Sequence, residues 1–572
     1  MNTKPQDKKP GISRRDSLKL SALALGSLAA GGVVNRTAVG QTTDQCNAME
    51  GSCYQNGPQY PTQQYDYFTK LPWFKPNDPY DPVNNPYNTP LQADEMRITF
   101  LGSMVPPVRR AQAEMSIFVE VGPWVYDPDH LGDIRYGHAT DSFVFDCGSG
   151  VCANYGAMNI GYARMDKIFL THLHADHMSD LGHIYGFGPG GGRFSPLYVW
   201  GPSASKLRYK DPAGVVSGPY DDGTKTFCEM LRAAFRWTSE SFAFQASSYA
   251  SYKPPTMASW GLPCEPIPVK DPRAAYDARY RRPYYLDSPY DGYALVPIEL
   301  DWTKNGHDAT GRPNGDNVAY HNKETGVRIT HFPVIHCRRG SIGYKLEWKN
   351  PALPGAPTLT MIFTGDTKPE INCLEQASNG GKGVDVFIHE MGLPPDVWAM
   401  KNLHLDKPGQ GDQWNAYVED MTTVENSSHS PQGSYGYLLS QINPQPRLAV
   451  ATHFQTADDT VECAWNSIIQ HCAYLQQYGS QFVVSFDLMQ LRVTRQGITQ
   501  LQAVVPDFGF SPLVSTPPDL NPPKYWMWEL NEYGNYALDD NGYRIPVGDP
   551  YAQIDTSTQI QPGDSTFCAD GY

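Results

Sequence analysis

The chain is short of three things. None of its 11 cysteines forms a Cys-x-x-Cys pair, so a structural zinc ribbon has no ligand framework. Positive charge is scarce: 45 Lys and Arg stand against 60 Asp and Glu, a formal net charge of −15 at pH 7. A surface of that sign repels phosphate backbones and lacks the basic footprint of a nucleic-acid-processing protein, so the charge disfavours nucleic acid as a partner. Long apolar runs are missing as well. The longest, "SALALGSLAAGGVV" at residues 21–34, is too short and too glycine-rich for a bilayer span. No internal repeat is evident.

What the chain holds in quantity is 49 Pro, 51 Gly and 35 Tyr, with aromatics at 12% and apolar residues at 40%. Disordered chains are poor in aromatics, so the composition points to a globular protein with long, ordered, aromatic-rich loops. At 572 residues there is room for one large domain with insertions or for two domains. Cys46 and Cys53 are spaced to close a small disulfide loop in an oxidising compartment. Cys463 and Cys472 lie on the apolar-periodic run Val461, Trp465, Ile468, Ile469, Leu475. That run reads as a helix, and nine helical residues span roughly 13 Å, beyond disulfide reach.

The stretch "THLHADHMSD" (residues 171–180) packs three histidines and two aspartates into ten residues, after the strand-like run Ile168 to Leu170. In extended chain His172 and His174 point to one side. Asp176 and His177 follow a bend and face a second point. Neutral imidazoles with a carboxylate are the usual donors to zinc, and one strand end serving two metals explains the crowding. Three later segments add donors beside apolar runs: "RITHFPVIHCRRGSIGYKLEW" with His331 and His336, "LTMIFTGDTKP" with Asp366, and "RLAVATHF" with His453.

This pattern resembles the metallo-β-lactamase-fold hydrolases, and most closely the ribonuclease Z and zinc arylsulfatase branch. The branch likeness extends to "RITFLGS" (97–103), "FDCGSG" (145–150), "SPLYVWGPS" (195–203), "DVFIHE" (385–390) and "SSHSPQGSYGYLLSQI" (427–442). It covers roughly residues 94–205 and 315–505. The resemblance implies an α/β fold: an αββα sandwich of two facing sheets with helices outside. It implies that His172, His174 and His336 hold one Zn2+, that Asp176, His177 and His453 hold a second, and that Asp366 bridges them. The family's third histidine precedes a Gly-Ser strand start, which selects His336 over His331. His429 stands at the place of the branch's catalytic histidine, before a helix with Ser430 as its cap and Pro431 in its first turn. Asp176 and His429 are the expected catalytic residues, Asp176 passing a proton to the leaving group.

The start of the chain resembles a twin-arginine export signal. "SRRDSLKL" (13–20) carries Arg14 and Arg15, with Ser17 where Phe is usual, and small residues follow at Ala38-Val39-Gly40. Such a signal implies recognition by the twin-arginine machinery, export of a folded and metal-loaded protein, and a periplasmic or secreted location with no membrane span left after cleavage. Residues 1–40 carry seven basic and two acidic residues, so their removal takes the net charge from −15 to about −20.

The expected organisation is a signal over 1–40, a Pro- and Tyr-rich extension over 41–93, a hydrolase domain over 94–505 interrupted by an aromatic-rich insertion at about 206–314, and a C-terminal extension over 506–572. The export signal, the acidic charge and the want of a basic, Gly-rich arm separate the chain from a transfer-RNA processing enzyme. The expected activity is hydrolysis of a small phosphodiester or sulfate ester by a hydroxide held between two zincs. The alternatives are acyl hydrolysis of a lactone or β-lactam, and a non-catalytic binding protein on the same fold. Iron or manganese could replace zinc.

Overall fold

The computed structural model describes residues 71–76, 89–126, 131, 137–193, 195–235, 237–238, 292–455, 458–477, 481–505 and parts of 527–547. The twin-arginine segment, Cys46 and Cys53, and most of the aromatic stretches of the insertion and the tail lie outside them. Two units divide the chain at Val504 and Val505. In the second, the described residues include a short antiparallel pair, Met527–Trp528 with Pro546–Val547.

The first unit is an αββα sandwich. One described sheet has nine strands, in the order Trp73–Phe74, Ile498–Ala503, Met489–Val493, Met96–Gly102, Ser116–Tyr126, Gly137–Phe145, Lys167–Phe169, Leu197–Pro202 and Leu295–Leu300. The other has seven: Val318–Asn322, Val327–Pro333, Ile342–Trp348, Leu359–Phe363, Val386–Glu390, Leu448–Thr452 and Phe482–Val484. Their inner faces share one core. Phe145 of the first sheet meets Tyr344 of the second at 5.6 Å between ring centroids, and Phe169 stacks on Trp200 at 4.6 Å. Helices cover the outer faces. Phe387, Ala449 and Phe482 pack beneath the helices Gln432–Gln441 and Asp458–His471, through Tyr435, Leu439 and Trp465. On the other side Tyr155 of Val151–Ala157 packs edge-on against Phe118. Strands covered on both faces are buried along their whole length and mostly apolar, as "LTMIF" and "LAVAT" are.

The sheets position the site through their direction. Gly137–Phe145, Lys167–Phe169 and Leu197–Pro202 run parallel. So do Leu359–Phe363, Val386–Glu390 and Leu448–Thr452. Parallel neighbours deliver all their carboxyl ends to one edge, where open α/β sheets hold their ligands.

Several expectations change. Trp73–Phe74, from the stretch read as an extension, pairs with Gln502 and Ala503 at the sheet edge. Leu295–Leu300, inside the stretch read as an insertion, is the opposite edge strand, because "LVPIEL" buries four of its six residues. The helix Asp458–His471 ends just before Cys472, which is buried and free, and a separate turn, Ala473–Gln477, follows.

Candidate metal centre

Three histidine rings meet first. His172 lies just past the strand Lys167–Phe169, and His174 begins the short helix Ala175–Met178. His336 comes from the loop between Val327–Pro333 and Ile342–Trp348. His174 Nδ1 is 3.0 Å from His172 Nε2 and 3.1 Å from His336 Nε2. The far nitrogens say where the protons are. His336 Nδ1 is 2.8 Å from the Ser428 carbonyl oxygen, which can only accept, so Nδ1 carries the hydrogen. Burial pushes the His336 pKa down to about 4 and lowers those of His172 and His174. A neutral ring protonated at Nδ1 presents a bare lone pair at Nε2. Lone pairs converging at 3 Å repel unless a cation sits among them, and these three residues form a group able to hold one.

A second group, Asp176, His177, Asp366 and His453, adjoins it. His453 follows the strand Leu448–Thr452 and takes a left-handed φ of 61°. Its Nε2 is 3.2 Å from Asp176 Oδ2 and 3.5 Å from Asp366 Oδ1. His177 Nε2 is 3.1 Å from Asp366 Oδ1, yet both atoms are buried and make no hydrogen bond. Two buried polar atoms facing one another without a hydrogen bond fit a cation between them. Burial opposes charge on Asp366, but His177, His453 and His172 hold its carboxyl well below the usual range.

Asp366 is placed by its neighbour. It follows Leu359–Phe363 through Gly365, whose φ is 60°. A Cβ at Gly365 would stand 2.6 Å from Thr171 Cβ, so only glycine lets this turn pass the histidine segment. Thr171 is itself part of the support: its N–H and hydroxyl donate to Asp146 at 2.8 Å each. Asp146 also faces His177 Nδ1 at 2.8 Å. The hydroxyl oxygen is 3.1 Å from His172 Nδ1.

His429 lies beside both groups. Its Nδ1 is 2.8 Å from Glu390 Oε2 and 3.9 Å from Asp366 Oδ2. Burial disfavours its charge, but the Glu390 carboxylate raises its pKa to about 9. The Glu390 carboxylate thus favours its protonated form. His429 closes the helix Asp412–Ser428, and the next helix starts at Gln432 with Pro431 as its cap. Ser430 is not the cap; its hydroxyl donates to the Thr367 carbonyl at 2.7 Å and ties this junction to the Asp366 loop.

The structure thus brings together His172, His174, Asp176, His177, His336, Asp366, His429 and His453. His331 stays apart, buried on its strand with Nε2 3.0 Å from the Asp301 carbonyl. Two supporting carboxylates were not singled out from the sequence, Asp146 and Glu390. Asp146 directly follows the strand Gly137–Phe145 and Glu390 ends the strand Val386–Glu390, so an acid at the end of an apolar run was the signal in the sequence.

No family model matches the chain. A 73-residue stretch is 34% identical to ribonuclease Z of Treponema denticola, covering 13% of this chain and 24% of that protein. A 266-residue stretch is 26% identical to ribonuclease BN of Erwinia tasmaniensis, covering 45% of this chain and 68% of that protein. The chain thus matches about a quarter of the length of the first relative. A metallo-β-lactamase-fold protein of Bacillus subtilis aligns over 70% of this chain and all of its own, at 13% identity and a TM-score of 0.34. The chain is thus similar in sequence to ribonuclease Z and ribonuclease BN over part of its length.

Proposed function

We propose that the protein is an exported dinuclear zinc hydrolase that cleaves a small phosphodiester or sulfate ester. One observation carries this reading: the Asp366 carboxylate lies between two donor groups, Oδ2 towards His172 and His336 and Oδ1 towards His177 and His453. His172, His174 and His336 would hold one ion, Asp176, His177 and His453 the other, with Asp366 shared. Two zincs bound there would supply Lewis acidity and a water acidified towards neutrality.

The chain's own residues supply the rest. His429, held cationic by Glu390, sets a positive charge where negative charge builds on an ester's oxygens. Asp176 Oδ2, beside His453 and His177, would take a proton from the attacking water and pass it to the leaving group. A fixed cation favours anionic esters over lactones and β-lactams. The relatives' names point to phosphodiester bonds, while a mature net charge of about −20 disfavours RNA itself.

Metal analysis of the exported protein, followed by a screen of phosphodiester, sulfate, lactone and β-lactam substrates, tests the reading. Two zincs per chain and turnover of an anionic ester are expected. Turnover confined to lactones or β-lactams overturns the substrate class, and metal without turnover favours the binding protein. Export is tested separately: replacing Arg14 and Arg15 with lysine should retain the protein in the cytoplasm, and normal delivery of the double variant rejects that route.

A further inference from the structure

His174 is held differently from the other histidines around it. The far nitrogens of His177, His336 and His172 face oxygens: Asp146 Oδ2 at 2.8 Å, the Ser428 carbonyl at 2.8 Å and Thr171 Oγ1 at 3.1 Å. The far nitrogen of His174, Nε2, faces a sulfur, Cys337 Sγ, at 3.4 Å. His174 is half-buried while His172 and His336 are buried, so packing holds its ring least. With Nδ1 presenting its lone pair to the other two rings, Nε2 carries the hydrogen, and the thiol sulfur is the acceptor in reach.

Cys337 is exposed and directly follows His336. One loop therefore both supplies a donor and clamps another. The loop is itself anchored. Arg338 pairs with Asp222, which accepts from the N–H and hydroxyl of Ser205 at 2.8 and 2.7 Å. The N–H of Ile335 donates to Thr367 Oγ1 at 3.1 Å, beside Asp366.

We propose that Cys337 is the positioning residue for His174, so that the metal held by His172, His174 and His336 depends on this thiol. The inference rests on the dinuclear reading above. Outer partners of this kind orient the ring, and their loss costs about 10- to 100-fold in metal affinity. Asp176, His177 and His453 make no hydrogen bond to the thiol, so the metal they would hold should change little.

The test uses the full, zinc-loaded protein with Cys337→Ala and Cys337→Ser. Chelator competition follows the release of each zinc, and cobalt substitution adds a spectrum. In C337A one of the two metals should bind about 10- to 100-fold more weakly, with the other unchanged. C337S keeps an acceptor beside Nε2 and should recover much of the loss. If C337A releases both metals as the parent does, the inference is overturned. A thiolate-to-cobalt charge-transfer band in the parent that disappears in C337S would make Cys337 a ligand, and overturns the positioning role. A parent that binds fewer than two metals fails the dinuclear reading itself, and the inference with it.

Discussion

Asp366 Oδ1 lies 3.1 Å from His177 Nε2, while its Oδ2 lies 3.8 Å from His336 Nε2. One carboxylate thus addresses two histidine groups, each of which draws its residues from both sheets. Asp366→Ala should therefore abolish dinuclear binding and turnover together, read as metal per chain and rate. Gly365→Ala reaches the same result indirectly. It forces a left-handed residue at a cost of roughly 1–2 kcal/mol and drives a methyl into Thr171, so metal should be lost from a protein that still folds. Full retention of both metals in either variant would refute the bridging role.

His336→Ala should lose metal from the three-histidine group, whereas His331→Ala should keep it. The His331 ring meets the Asp301 carbonyl through Nε2 and belongs to neither donor group. Zinc content of the two purified variants decides the matter, and the reverse pattern would mean the wrong histidine was assigned.

His429→Ala should retain both metals and the fold but slow turnover by roughly 100- to 1000-fold, the usual cost of one lost donor to transition-state charge. Glu390→Gln should act through the same residue. Without the carboxylate that raises the His429 pKa to about 9, the imidazole should lose its proton nearer neutrality. The alkaline fall in kcat should then begin at lower pH than in the parent. An unchanged pH profile in Glu390→Gln would separate the two residues.

Asp487 offers a pH test away from the metals. It accepts from Ser103 Oγ, the Ala113 N–H and Asn154 Nδ2 at 2.8, 2.6 and 2.8 Å, yet burial pushes its pKa up to about 7. The unfolded carboxyl titrates at about 4, so between about pH 4 and 7 the folded state holds a proton that the unfolded state has lost. Its contribution to stability therefore falls as pH rises through that window. Asp487→Asn should gain on the parent between pH 5 and pH 8 in urea midpoints. A pH-independent difference would refute the assignment.

Much of the site was legible because its donors obey local rules. Alternation in an extended segment pairs His172 with His174, and the apolar runs "LTMIF" and "LAVAT" announce the strands that end before Asp366 and His453. Those rules need only neighbours in sequence. Boundaries were less legible. Trp73–Phe74 and Leu295–Leu300 read as parts of an extension and an insertion, because edge strands are identified by the partner they pair with, and Gln502 and Tyr198 are distant in sequence.

Tertiary structure alone decided the supports. Ser430 has the sequence of a helix cap, yet the Thr367 carbonyl claims its hydroxyl. Glu390 neighbours the His453 segment because its strand pairs Glu390 with Thr452 in parallel register. It meets His429 because Asp412–Ser428 ends there. Cys337 faces His174 only because two loops from different sheets meet at one edge. The sequence by itself determined which donor types stand at strand ends, since strand propensity and side-chain alternation act over a few residues. Which of them share an oxygen, a proton or a thiol was decided by strand register and sheet packing, which act between residues far apart in the chain.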